Sequence, residues 1–146
     1  MRGEGRGAAP PSALALGAAG LVPFVGLAAL VLAGRTELFG VATRPALLAY
    51  GAIIASFLGG IRWGLAAERG LGLRDYGLSV LPSLLAWAAL ALPAPWDLRG
   101  IGVVVLAWGL VDQDLPRRGV APRWLGRLRL ALSAVAGLSL LAAGWA

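Results

Sequence analysis

Cysteine, histidine and lysine are absent from this chain, and its single methionine is Met1. Disulfides, thiolate nucleophiles and imidazole general bases are thereby excluded, and the usual haem, copper and zinc ligands go with them. Without lysine there is no Schiff-base chemistry and no amine whose pKa burial could tune. All 13 basic residues are arginine. Most catalytic chemistry lacks its side chains here, so no cofactor, no metal and no enzymatic activity are expected.

Charge is scarce as well, at 14% of the chain, while 59% of residues are apolar and 22 of the 146 are glycine. Soluble domains carry roughly 45–50% apolar residues with glycine included, and a sphere of this size has too little interior to hide such a surplus. With mean hydropathy +0.80 the chain is neither disordered nor an ordinary soluble domain. The expected fold class is all-α, a polytopic membrane helix bundle of about five spans.

A short cytoplasmic tail over 1–12 precedes one membrane domain over 13–146, with spans expected at Ala13–Leu32, Pro45–Leu65, Tyr76–Leu92, Leu98–Val111 and Leu128–Trp145. The fourth is the shortest. Its uninterrupted apolar run, Ile101–Val111, rises only about 16 Å, so it must recruit Leu98, a snorkelling Arg99 and Asp112–Leu115 to cross. Arg2 and Arg6 before the first span also fit a signal peptide ending near Val31-Leu32-Ala33. The length of that apolar run and Pro23 within it favour an uncleaved helix.

Five crossings place nine arginines on one side, at 2, 6, 69, 74, 117, 118, 123, 127 and 129, against Arg35, Arg44 and Arg99 on the other. By the positive-inside rule the N-terminus is cytoplasmic and the C-terminus periplasmic or its equivalent; the Ala and Gly richness with arginine in place of lysine suggests a bacterial genome, so the inner membrane is the expected location. Trp63, Tyr76, Trp108 and Trp124 fall towards the first boundary, and Tyr50, Trp87, Trp96 and Trp145 towards the second, as interfacial belts would. Trp87 and Trp108 serve equally well as helix contacts. The formal net charge of +6 would suggest nucleic-acid binding in a soluble protein, but topology accounts for these arginines, so no nucleic acid is expected.

The second span carries two ridges of small residues at four-residue spacing. One is Gly51, Ala55 and Gly59; the other is Ala52, Ser56, Gly60 and Gly64. Such flat strips let backbones approach closely, which makes this helix central. Arg62 lies beside them, three positions after Gly59. An intramembrane arginine is costly unless it snorkels or finds a partner. Asp112, at matching depth on the end of the fourth span, is the expected partner for an ion pair, with Asp75, Glu68 and Asp114 as other acceptors.

Pro82 in the third span frees the carbonyl of Leu78, so a kink is expected there, with Ser79 or Ser83 able to patch the loose groups. Ahead of the fifth span, Arg117, Arg118, Arg123, Arg127 and Arg129 surround Trp124. This cluster reads either as a topology signal alone or as a contact for anionic lipid or an acidic partner. The chain lacks the serine–histidine constellation of an intramembrane protease, and no Walker or Rossmann glycine motif is present.

Ser56-Phe-Leu-Gly-Gly-Ile-Arg-Trp-Gly64 resembles the signature of the membrane family called domain of unknown function 3429, whose animal relative is a mitochondrial multi-span protein. Tyr76, Ser79-Val-Leu-Pro82-Ser83, Leu110-Val-Asp112, Pro122-Arg-Trp124, Arg127-Leu-Arg129 and Leu132-Ser133 continue the resemblance in order, over about residues 45–135. Where that family often shows Trp-Tyr-Leu, this chain has Trp124-Leu125-Gly126, without the tyrosine hydroxyl. The resemblance implies a multi-span protein of bacterial inner or mitochondrial membranes and no assigned activity. The expected role is a non-catalytic accessory, assembly or scaffold protein in the lipid bilayer, with a membrane-protein partner or a second copy of itself. The alternative is a small transporter or channel using Arg62 in a polar site beside the kinked third helix.

Overall fold

The computed structural model describes residues 7–146; Arg2, Arg6 and the start of the expected tail lie outside them. Five long helices, one short helix and a hairpin follow in order: α1 Pro11–Leu32, β1 Glu37–Leu38, β2 Val41–Ala42, α2 Thr43–Arg69, α3 Leu73–Leu90, α4 Trp96–Val111, α5 Asp114–Arg117 and α6 Arg123–Ala143. Of these, α1, α2 and α6 are long and apolar enough to cross a membrane. The fold is an all-α helical bundle of membrane character.

Local chemistry explains where the elements stop. Pro11 opens α1, where a missing N–H costs nothing. The turn to α2, where the sequence predicts a loop, is a two-stranded hairpin. Its tip, Phe39-Gly40, holds positive φ at both residues, 49° and 78°, as tight hairpins require. Gly70 closes α2 in the left-handed conformation at φ 63°. The fourth helix gains its length at the start, from Trp96 and Asp97, and Asp112–Leu115 do not extend it as expected. Pro116 has no N–H to give the Asp112 carbonyl, so the chain turns and re-forms as the four-residue α5.

The helices close a ring in the order α1, α2, α3, α4, α6 and back to α1, with α2 also touching α4 across the middle. Glycines set the closest crossings. A Cβ at Gly59 would lie 2.0 Å from the Ser79 carbonyl oxygen and 3.1 Å from Pro82 Cγ, so α2 and α3 meet there backbone to backbone. On the α4–α6 seam, a Cβ at Gly109 would meet Ser133 Cβ at 2.5 Å, and one at Gly137 would meet Leu106 Cγ at 2.4 Å. The core between the helices is built from Phe24, Leu47, Leu98, Ile101, Val105 and Leu140.

The two ridges of α2 have different fates. Gly51, Ala55 and Gly59 are buried against neighbouring helices. Ser56, Gly60 and Gly64 are exposed, and a Cβ at Gly60 or Gly64 would meet nothing within 4 Å. The first ridge thus packs inside the chain, whereas in the second Ala52 packs partly against the core and Ser56, Gly60 and Gly64 are left facing outward. The reason is geometric, since the ridges are offset by one residue and only the first points at α3 and α4.

Candidate functional site: a closed arginine–aspartate cluster

Seven residues before the end of α2, Arg62 points into the arginine-rich end of the bundle, where α3 begins, α4 ends and α6 begins. Its side chain is 0% exposed, so it does not snorkel. Nη1 donates to Asp112 Oδ1 at 2.9 Å and to Asp114 Oδ1 at 3.0 Å; Nη2 donates to Asp75 Oδ1 at 2.8 Å and Asp114 Oδ2 at 3.1 Å. One guanidinium thus ties α2 to α3, to the end of α4 and to α5.

Two further arginines complete the cluster. Arg118, capping α5, donates to Asp75 Oδ1 at 2.8 Å and Oδ2 at 3.0 Å, and to Asp114 Oδ2 at 3.0 Å. Arg129 of α6 brings Nη2 to 2.6 Å from Asp112 Oδ2, a charge contact without hydrogen-bond alignment. Three guanidinium groups face three carboxylates. Of the arginines read as a topology signal or as a contact for lipid or an acidic partner, Arg129 is buried against Asp112, while Arg118 stays exposed with its guanidinium on Asp75 and Asp114. Buried carboxylates draw the nearest cations inward, because an unpaired buried charge costs several kcal/mol (roughly 3–5 when one partner is removed).

The helix dipoles divide the acids. Asp75 sits in the first turn of α3, where the positive end of the helix favours an anion. Asp112 caps the C-terminus of α4, the unfavourable end, and it is the acid held between Arg62 and Arg129. Hydrogen bonds from Arg118 and then Arg62 outweigh burial and hold Asp75 at about 2, below the ordinary 3.8. For Asp114 burial pushes upward, but hydrogen bonds from Arg62 and Arg118 prevail and keep it below the usual carboxylate range. Carboxylates so held are poor proton donors near neutral pH. Among the described residues, Arg62 Nε and Arg129 Nε have no hydrogen-bond partner.

The remaining residues singled out from the sequence lie around this cluster. Pro82 is buried in α3, which continues through it as helix. The Leu78 carbonyl it frees accepts from Trp108 Nε1 at 2.8 Å, and the two serines expected to patch the site bond elsewhere, Ser79 to Tyr76 O and Ser83 to Val80 O. Trp108 is therefore a helix contact, buried between α3 and α4. The Tyr50 hydroxyl donates to the Gly20 carbonyl at 2.7 Å and so ties α2 to α1. Arg117, Arg123 and Arg127 remain exposed, with Trp124 half-buried beside them.

Two polar contacts at the opposite end were missed by sequence reasoning. Arg44 of α2 grips Asp97 of α4 with both guanidinium nitrogens. Arg99 donates to the Gly144 carbonyl at 3.0 Å and lies 3.7 Å from the Trp145 ring centroid and 4.9 Å from that of Trp96. Nothing in local spacing announces the Arg44–Asp97 pair, whose members are 53 residues apart. Arg129 did have a signal: Gly126, Arg129, Ser133, Ala136, Gly137 and Leu140 form one buried helical stripe of mostly small residues.

The chain is similar to proteins named as transmembrane proteins. Transmembrane protein 69 of Xenopus tropicalis is 37% identical over 137 residues, covering 90% of this chain and 53% of that protein. Transmembrane protein 69 of Mus musculus is 30% identical over 135 residues, covering 89% of this chain and 54% of the relative. The chain thus spans about half the length of the curated relatives it matches. No solved structure matches it. The model of the family described as "Protein of unknown function (DUF3429)" matches residues 9–144, nearly the whole helical bundle, and the chain belongs to that family.

Proposed function

We propose that this chain is a non-catalytic accessory or scaffold protein of the bacterial inner membrane, with its arginine-rich end in the cytoplasm. The observation that carries this reading is the enclosure of Arg62: fully buried, bonded to three carboxylates, and at the junction of four helices. A transporter using Arg62 needs a polar passage to it. Among the described residues, an apolar cavity of about 120 Å³ between α1, α2, α4 and α6 is lined by Phe24, Leu58, Val105 and Ala136 among others, and Arg62 does not line it. The cluster acts as a lock that sets helix register.

What the locked bundle offers a partner is the outer ridge of α2. Ser56, Gly60 and Gly64 lie on an exposed strip flanked by Ile53, Phe57 and Trp63, which are 64%, 63% and 49% exposed. Small residues between large apolar ones suit a second membrane helix, which gains close van der Waals contact there. The absence of cysteine makes the test direct. Single cysteines at Gly60 and, as a control, at Leu138 on the exposed side of α6 are crosslinked in native membranes, and the products are identified after purification in mild detergent. A discrete adduct from Gly60 alone supports the reading. A protein that purifies as a monomer, forms no adduct and moves solute across liposomes overturns it.

A further inference from the structure

The cluster divides the arginines of the cytoplasmic end into two populations. Arg62, Arg118 and Arg129 are spent on aspartates, and Arg74 lies 3.8 Å from Asp114. Arg69, Arg117, Arg123 and Arg127 make no ion pair among the described residues, and all four are exposed. They are not scattered. Arg117, Arg123 and Arg127, with Gln113 and Pro116, line one surface groove of about 290 Å³. Arg69 and Arg123, with Gly119, Ala121 and Pro122, line a second of about 620 Å³. Arg123 belongs to both, and no carboxylate lines either.

The walls of the first groove are held in place. Gln113 donates its amide to the Gly109 and Gly126 carbonyls, at 2.9 Å each, pinning the α4–α5 turn against α6. A Cβ at Gly126 would meet Pro116 Cγ at 2.7 Å, so α5 and α6 are in close contact beneath the arginines. Arg123 is the first residue of α6, whose N-terminus has no side-chain cap, so the positive helix end adds to the arginine charge there. Half-buried Trp124 sits between Arg123 and Arg127 in sequence, as an interfacial aromatic beside headgroups would.

We infer that these joined grooves bind an anionic glycerophospholipid headgroup carrying two phosphates, with Arg117 and Arg127 on one phosphate, Arg69 on the other and Arg123 bridging them. Guanidinium forks match phosphate oxygens bidentately, and a cluster at the membrane surface attracts anionic headgroups additively. A headgroup with one phosphate fills one groove and leaves the other arginines unused. The lock behind the site keeps this selective, because it removes the acids that would otherwise neutralise the surface arginines. The inference rests on the membrane placement above but not on the α2 partner surface, whose crosslinks would persist if the lipid site failed.

The full chain, delipidated in mild detergent, is titrated with cardiolipin, with phosphatidylglycerol at equal total phosphate, and with inorganic pyrophosphate, and bound species are counted by native mass spectrometry. One cardiolipin per chain is expected, at about tenfold lower concentration than phosphatidylglycerol. Arg123→Gln should abolish that preference, and Arg117→Gln or Arg127→Gln should weaken cardiolipin binding several-fold. Arg35→Gln, at the opposite end, should change nothing; unaltered melting of each variant shows that the fold is intact. Equal retention of both lipids, or a preference that survives Arg123→Gln, overturns the site. Pyrophosphate that competes as well as lipid assigns the grooves to a soluble anion and overturns the lipid reading.

Discussion

Trp108 of α4 donates its indole N–H to the carbonyl of Leu78 in α3 at 2.8 Å, the acceptor that Pro82 leaves without a helical donor. A proline defect in one helix is thus repaired by its neighbour, and the two helices are fastened at that height. In a bilayer, where no water can satisfy the carbonyl, such a repair carries more weight than in a soluble bundle.

Trp108→Phe keeps most of the buried ring and strands the Leu78 carbonyl, a loss of about 1–3 kcal/mol. In a Pro82→Ala background residue 82 regains its N–H and can serve the same acceptor. Thermal melting in detergent should therefore show Trp108→Phe costing clearly less with Pro82→Ala than without it. Equal costs in both backgrounds would mean that the indole hydrogen bond is not what fastens α3 to α4.

Arg62→Ala leaves three aspartates facing Arg118 and Arg129, and we expect it to cost at least the roughly 3–5 kcal/mol of a broken buried pair, enough to remove the folded protein. Asp112→Asn should be milder, because Arg62 keeps Asp75 and Asp114 and the asparagine oxygen can still accept from the guanidinium groups, although buried Arg129 loses its one carboxylate partner. Arg62→Lys should fall between, since one ammonium cannot reach three carboxylates with the same fork. Fluorescence-detected size exclusion of the three variants ranks them. If Asp112→Asn proves as damaging as Arg62→Ala, the charge of Asp112 rather than the shared cluster dominates.

Gly59 and Gly60 are adjacent and should respond oppositely. Gly59→Ala drives a methyl to 2.0 Å from the Ser79 carbonyl oxygen, so α2 and α3 must separate and the melting temperature should fall sharply. Gly60→Ala meets nothing within 4 Å and gains helix propensity worth up to about 1 kcal/mol, so the isolated chain should hold or rise in stability. Loss of the α2 crosslink with Gly60→Ala, at unchanged stability, would be the signature of a partner helix on that ridge.

Acid should weaken the lock in a defined window. Asp75 has its folded pKa lowered to about 2 from the ordinary 3.8, and Asp114 is lowered too. Below their ordinary pKa the unfolded chain takes up protons that the folded cluster refuses, so stability falls as pH falls. The contribution is complete above about pH 5 and should be lost mainly between about pH 4 and pH 2. Melting temperature measured across that range should drop, and Asp75→Asn should flatten the drop. A wild-type profile that is level from pH 5 to pH 2 would contradict the ion-paired cluster.

The surplus of apolar residues, their division into segments and the bias of arginines to one set of loops are properties of composition and order, and they determined by themselves that the chain is a helical membrane bundle. The small-residue ridges and the inward charge of Arg62 were also legible, because helical periodicity places residues on faces without knowledge of neighbours. Which ridge is used, and which arginines turn inward, was settled only in three dimensions. Ser56, Gly60 and Gly64 carry the same local pattern as Gly51, Ala55 and Gly59, and only the positions of α3 and α4 distinguish them. Arg118 and Arg129 look like their surface neighbours Arg117 and Arg127 until Asp75 and Asp112, 43 and 17 residues away in the chain, are brought against them. Electrostatic pairing depends on distance in space and on desolvation, and neither is a property of a segment read alone.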